Sequence, residues 1–157
     1  MPETVIAASK LIAAPAERLY AIIADYHNGH PLILPRPYFV ALQVEQGGVG
    51  AGTVVSFQMK LMGRTQNFRA RISEPEPGRV LEEFSETNGA VTRFTVEPRD
   101  AGQAAFVTIS TAMEASGGLA GKIQGWMTRR LLQPIYVKEL EQLAAVAAGQ
   151  AGSEREL

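Results

Sequence analysis

The segment DYHNGH (25–30) holds both histidines of the chain, three positions apart, with an aspartate two residues before the first. Three kinds of chemistry fit those residue types. A zinc site draws on histidine and carboxylate but needs three or four converging ligands. HNGH supplies two from one stretch and matches no established zinc spacing, and Asp25 stands where a helix ends, so no metal is expected. A catalytic reading makes His27 or His30 a general acid or base, since imidazole titrates near neutrality. In the third reading the histidines are polar loop residues with no chemistry of their own, and this is the reading expected.

The rest of the composition narrows the choices. The chain has 157 residues, 46% hydrophobic and 20% charged, with a formal net charge of −1. That length predicts a single domain with a sizeable core. The charge balance gives no general attraction to phosphate backbones, so nucleic acid is not an expected partner. Cysteine is absent, which removes disulfides, thiolate nucleophiles and cysteine-ligated metals. The opening MPETVIAASK lacks the basic and apolar regions of a signal peptide, and no run reaches the length of a membrane span. A cytoplasmic location is the resulting expectation.

Any such loop must be positioned by neighbouring elements. TVIAASKLIAA (4–14) reads as a strand, and APAERLYAIIADY as a helix that opens at proline and ends near Asp25. LILP allows one short helical turn among three prolines. From Tyr38 to Met113 the period changes to two. Six strands are expected at 38–46, 52–62, 65–76, 79–86, 90–98 and 103–114, joined by links of hairpin-turn composition such as GGVGAG, GR and TNG. Short links make neighbours antiparallel. GGVGAG lacks the Gly-Lys-Ser/Thr ending of a phosphate loop and precedes a strand, so it reads as a hairpin loop.

A long helix follows, about residues 119–148, and then a polar tail over 149–157 expected to be flexible. The order predicts an α+β domain over 1–148, with seven antiparallel strands curled around the terminal helix and two short helices between strands 1 and 2. On the helical projection Leu119, Ile123, Trp126, Met127 and Pro134 fall together, with Arg130 among them. Beyond Pro134 the apolar stripe moves to Leu132, Tyr136, Leu140 and Leu143, and the proline predicts a kink. Glu82 alternates with Val80 and Phe84 in VLEEF. Charges on apolar faces need a partner, a wet cavity or a ligand, so Glu82 and Arg130 are candidate orienting groups. Snorkelling of Arg130 past the helix edge and a bulge in VLEEF are the plainer alternatives.

This order, with SKLIAAPAERLYAIIADY (9–26) at the start and GWMTRRLLQPIYVKELEQLAAVA (125–147) at the end, resembles the START-related helix-grip superfamily (SRPBCC), particularly its polyketide cyclase/dehydrase and lipid-transport branch. The resemblance covers residues 4–147. It implies an elongated cavity between sheet and terminal helix that takes a small hydrophobic or amphipathic molecule, with no cofactor. Phe57, Met59, Phe68, Glu82, Phe84, Phe94, Met113, Ile123, Trp126, Met127 and Arg130 would line it. HNGHPLILPRPYF (27–39) departs from the aromatic-rich continuation usual in the family. The rival implication is a cyclase or dehydratase without a metal. It would remove a proton beside a carbonyl with His27 or His30, and Tyr26, Tyr38, Glu82 or Arg130 would hold the oxyanion or carry a proton. A third implication, an interaction module like the chaperone activators, would require an exposed apolar patch.

Overall fold

The computed structural model describes residues 3–115 and 117–149. In chain order the elements are β1 (Glu3–Ile12), α1 (Ala16–Ala24), α2 (His30–Ile33), β2 (Phe39–Gln46), β3 (Val54–Leu61), β4 (Arg64–Glu76), β5 (Val80–Ser85), β6 (Val91–Arg99), β7 (Ala104–Glu114) and α3 (Gly118–Ala147). The strands form one sheet in the order β1-β7-β6-β5-β4-β3-β2, and every neighbouring pair is antiparallel. This is the α+β architecture expected from the order of patterns, in the helix-grip arrangement that the resemblance implies. Of the predicted polar tail, residues 150–157 lie outside the described residues. Among the described residues, no helix is long and apolar enough to cross a membrane.

The strand pattern separates the two faces. Ile6, Ile109, Phe94, Leu81, Ile72 and Val55 are buried on the face that meets the helices. From the other side Leu19 and Ile23 of α1, Ile33 of α2, and Ile135, Leu140 and Leu143 of α3 close the core. Each such side chain stabilises the fold by roughly 1.5–3 kcal/mol through burial.

The helices cover the sheet unevenly. α3 packs chiefly along β1 and meets α1 and α2. Its second half is tied down by Gln142 Nε2 donating to the Leu32 carbonyl at 3.1 Å and by Arg18 Nε donating to the Ala147 carbonyl at 2.8 Å. The inner face of β2, β3 and β4 lies beyond this cover, and Phe39, Leu42, Phe57 and Phe68 are only partly buried there. α3 runs through Pro134 as one element.

The first half of α3 approaches β1 through small residues. A Cβ on Gly125 would stand 2.9 Å from Thr4 Oγ1, and Gly121, one turn earlier, is buried. Arg129 Nε donates to the Val5 carbonyl at 3.3 Å and Gln133 Nε2 to that of Ala7 at 3.2 Å. These contacts set the rotation of the helix, and therefore which residues point away.

Candidate functional site

The loop DYHNGH is built by its aspartate. Asp25 Oδ1 accepts from the His27 amide at 3.0 Å and the Asn28 amide at 3.1 Å, an Asx turn that ends α1. The glycine-rich loop 47–52 docks against this turn. The Tyr26 amide donates to the Gly48 carbonyl at 2.8 Å, and the Gly50 amide to that of Ala24 at 3.0 Å. Gly48 has φ +149°, and a Cβ there would fall 2.0 Å from His27 Nε2, so only glycine allows this close approach. GGVGAG is thus a hairpin loop, as its composition predicts, and it clamps the histidine loop.

The two histidines part company. His27 is exposed, whereas His30 is 2% exposed at the start of α2. His27 is an exposed loop residue, whereas the β/α packing carries His30 inward. His30 Nδ1 lies 2.7 Å from the Ile23 carbonyl. A carbonyl can only accept, so Nδ1 carries a proton. Nε2 then faces Glu83 Oε2 at 3.5 Å. The same Glu83 oxygen accepts from the Tyr26 hydroxyl at 2.5 Å. The imidazole is stacked on Tyr26, with centroids 4.3 Å apart, and meets the edge of Phe94 at 5.4 Å. Burial and the Glu83 charge together hold the Tyr26 phenol well above its usual range, so Tyr26 stays a donor.

A second carboxyl enters from α3. Glu139 is 3% exposed and makes no hydrogen bond to another described residue. Among the described residues, no buried side-chain oxygen or nitrogen is both sealed off and unpartnered, so space the size of a water adjoins this carboxyl. Burial first, and the Glu83 charge second, raise its pKa well above 4.5. One helical turn earlier, Tyr136 and Thr111 share a hydrogen bond at 2.5 Å, and Thr111 shares another with Thr92 at 2.7 Å. Burial pushes the Tyr136 phenol up to about 12, with the Glu139 charge adding and the Thr111 bond opposing.

The interior therefore holds two carboxyl groups, an imidazole and two phenols. Glu83 shares the inner face with Ile72 of β4 and Thr92 of β6, its register partners. It stands between the closed core and the open aromatic end, where Phe57 is stacked on Phe68 at 5.2 Å and lies 6.1 Å from Phe39. Such a set can hold the hydroxyl or carbonyl of an organic molecule and pass protons to it. Among the described residues, no three His, Asp or Glu group to hold a metal ion.

Several residues singled out by pattern lie elsewhere. Phe57, Met59, Phe68, Phe94 and Met113 do point to the helix side, and Phe94 and Met59 are core residues there. Tyr38 is partly buried against the same core. Glu82 and Phe84 share a strand face as expected, but it is the outer one. Glu82 pairs with Arg93, its register partner, and Arg71 lies over the Phe84 ring at 5.4 Å. VLEEF has apolar residues on both faces, and the pairing of Leu81 with Phe94 and of Glu83 with Ile72 decides which one turns inward. Ile123, Trp126, Met127 and Arg130 are exposed, because the Gly121–Gly125 side of α3 faces the sheet. Arg130 lies 5.0 Å from the Trp126 ring instead of entering the core. Two clefts, of about 520 and 670 Å3, lie around Arg71 and Phe84 and around Gln58 and Asn67, and the second is also lined by Leu42, Phe57 and Phe68.

Sequence comparison gives the family. The model for polyketide cyclase / dehydrase and lipid transport matches residues 3–148. The chain belongs to that family. No curated protein matches the sequence. Among solved structures, the polyketide cyclase/dehydrase fold of this chain is similar to that of the KanY protein. Identity is 26% and the TM-score 0.81, over 94% of this chain and 99% of that one. It is also similar to the Zhui aromatase/cyclase from a Streptomyces strain, at 16% identity and TM-score 0.72 over 94% of each chain. Norcoclaurine synthase from Thalictrum has TM-score 0.68 at 13% identity, over 94% of this chain and 96% of that one. The last two establish the fold alone, which hosts several activities. Family membership fits ligand binding or cyclase roles.

Proposed function

We propose that the chain binds a small amphipathic molecule between the inner sheet face and α3. Its apolar body lies against Phe57, Phe68 and Met59, and its polar end reaches Glu139 and Glu83. The observation that carries this reading is the Glu139 carboxyl, buried without a protein hydrogen-bond partner among the described residues. Water reaches this carboxyl, and a ligand hydroxyl or carbonyl can take the water's place while keeping its hydrogen bond. The half-buried aromatics at the open end of the sheet supply apolar surface at roughly 25 cal/mol per Å2 buried.

The test compares 2-naphthol with 2-methylnaphthalene, which match in shape and differ in one hydroxyl. The native protein should bind the naphthol about 10-fold or more tightly, and Glu139→Leu should erase that preference. Binding of neither compound, or a preference that survives in the variant, would overturn the reading.

Proton-transfer catalysis on the bound molecule is a second reading, supported by the contacts of Glu83 with Tyr26 and His30. In it Glu83 removes a proton from a carbon beside a carbonyl, and a neutral neighbour donates one to the oxygen. Deuterium exchange from heavy water into 1-tetralone, lost in Glu83→Gln, would be its signature. Exchange at the uncatalysed rate in the native protein would refute it.

A further inference from the structure

The first half of α3 carries an apolar stripe that the fold leaves uncovered. Leu119 is 75% exposed, Ile123 50%, Trp126 55% and Met127 52%. The four are spaced three or four residues apart, and Arg130 continues the series. At about 100° per residue they occupy one arc of the helix, away from the side through which Gly121 and Gly125 meet β1. They cannot turn inward without driving larger side chains into Thr4, which Gly125 already approaches closely. A contiguous exposed patch of large apolar residues marks an interaction surface.

The charge around the patch selects the partner. From Ala115 to Val137 the sequence contains Lys122, Arg129 and Arg130 and no aspartate or glutamate, although the whole chain carries −1. The nearest acids along the sequence are Glu114, in β7, and Glu139, which is buried in the interior, and Glu3 is exposed on β1, the strand against which this helix packs. Lys122, Arg129 and Arg130 are all exposed. An apolar helical stripe that contains tryptophan and whose charged neighbours on the helix are all cations is the pattern of a helix lying in a membrane interface. A second copy of the chain fits poorly, since a two-fold contact would set these cations against themselves.

We propose that the first half of α3 docks on an anionic lipid surface, with Leu119, Ile123, Trp126 and Met127 entering the interface and Lys122, Arg129 and Arg130 meeting the headgroups. The surface is separate from the interior ligand site and stands without it. Membrane attachment here is peripheral and rests on two contributions, buried apolar area and attraction of the basic residues to anionic lipid.

Trp126 is the single tryptophan of the chain, so its emission reports on this patch alone. The protein would be titrated with phosphatidylcholine vesicles and with vesicles containing about a third phosphatidylglycerol, followed by sedimentation and fluorescence. Co-sedimentation with the anionic vesicles and a blue-shifted Trp126 emission are expected. With Lys122, Arg129 and Arg130 all changed to Gln, partitioning should fall by about 100-fold at low salt. Ile123→Glu should remove the blue shift, and far-UV circular dichroism should stay unchanged in both variants. Failure to sediment with either vesicle, equal binding to neutral vesicles, or binding that survives the triple change would overturn the proposal. A blue shift that appears with protein concentration alone, without vesicles, would assign the patch to a second copy and overturn it as well.

Discussion

His30 Nε2 stands 3.5 Å from Glu83 Oε2, and the Ile23 carbonyl behind Nδ1 fixes which nitrogen faces the carboxylate. With a proton on Nε2 the two groups attract, and without one they present two acceptors to each other. The pair joins the helical loop to β5 in the middle of the sheet, so it serves both the fold and the candidate site.

The two histidines should respond differently to truncation. His30→Ala removes an aromatic ring packed between Tyr26 and Phe94 and deprives a buried carbonyl of its donor. A loss of about 2–4 kcal/mol in urea unfolding is expected. His27→Ala, at an exposed position, should stay within about 0.5 kcal/mol. Similar losses for both would contradict the division between them.

The adjacent glutamates of β5 make a second contrast. Glu82 pairs with Arg93 on the outer face, with the arginine half-exposed, so Glu82→Ala should cost less than about 1 kcal/mol. Glu83→Ala strips the acceptor from the buried Tyr26 hydroxyl and should cost about 1–3 kcal/mol. Thermal unfolding of both variants beside the native chain decides it.

Glu139 makes stability depend on pH. Its folded-state pKa is raised above 4.5, so the folded chain keeps a proton that the unfolded chain releases. The resulting contribution is fully present below about 4.5 and is lost as pH rises through the folded value. Native stability should therefore fall relative to Glu139→Gln as pH rises above about 4.5, by up to roughly 1.4 kcal/mol per pH unit. Parallel stability curves would show that Glu139 titrates normally.

Trp126→Ala separates a core residue from a surface one. At 55% exposure, its removal should change stability by no more than about 0.5 kcal/mol. A buried tryptophan would cost about 3–5 kcal/mol in the same experiment. A loss of that size in equilibrium unfolding would contradict the rotation of α3 described above.

The architecture was legible in the sequence because strand alternation, turn composition and the Ala-Pro opening all act locally. The sites that were misread depend on rotation and register, which are set at a distance. VLEEF gave no local signal for its inner face, since Leu81 and Phe84 are both apolar. The stripe through Ile123 and Trp126 had the periodicity of a core face, yet Gly121 and Gly125 let the opposite side approach β1. Glu139 was findable. It falls three residues after Tyr136 and four before Leu143, on the face that Leu132, Tyr136 and Leu140 already defined.

Which face of the sheet takes a ligand is the most direct question for the central claim. Backbone amide shifts of the 15N-labelled protein titrated with 2-naphthol would answer it. The account predicts perturbations at Met59, Glu83 and Glu139, with Gln46 and Arg71 unmoved. Shifts confined to Gln46, Arg71, Gln58 and Asn67 would contradict it.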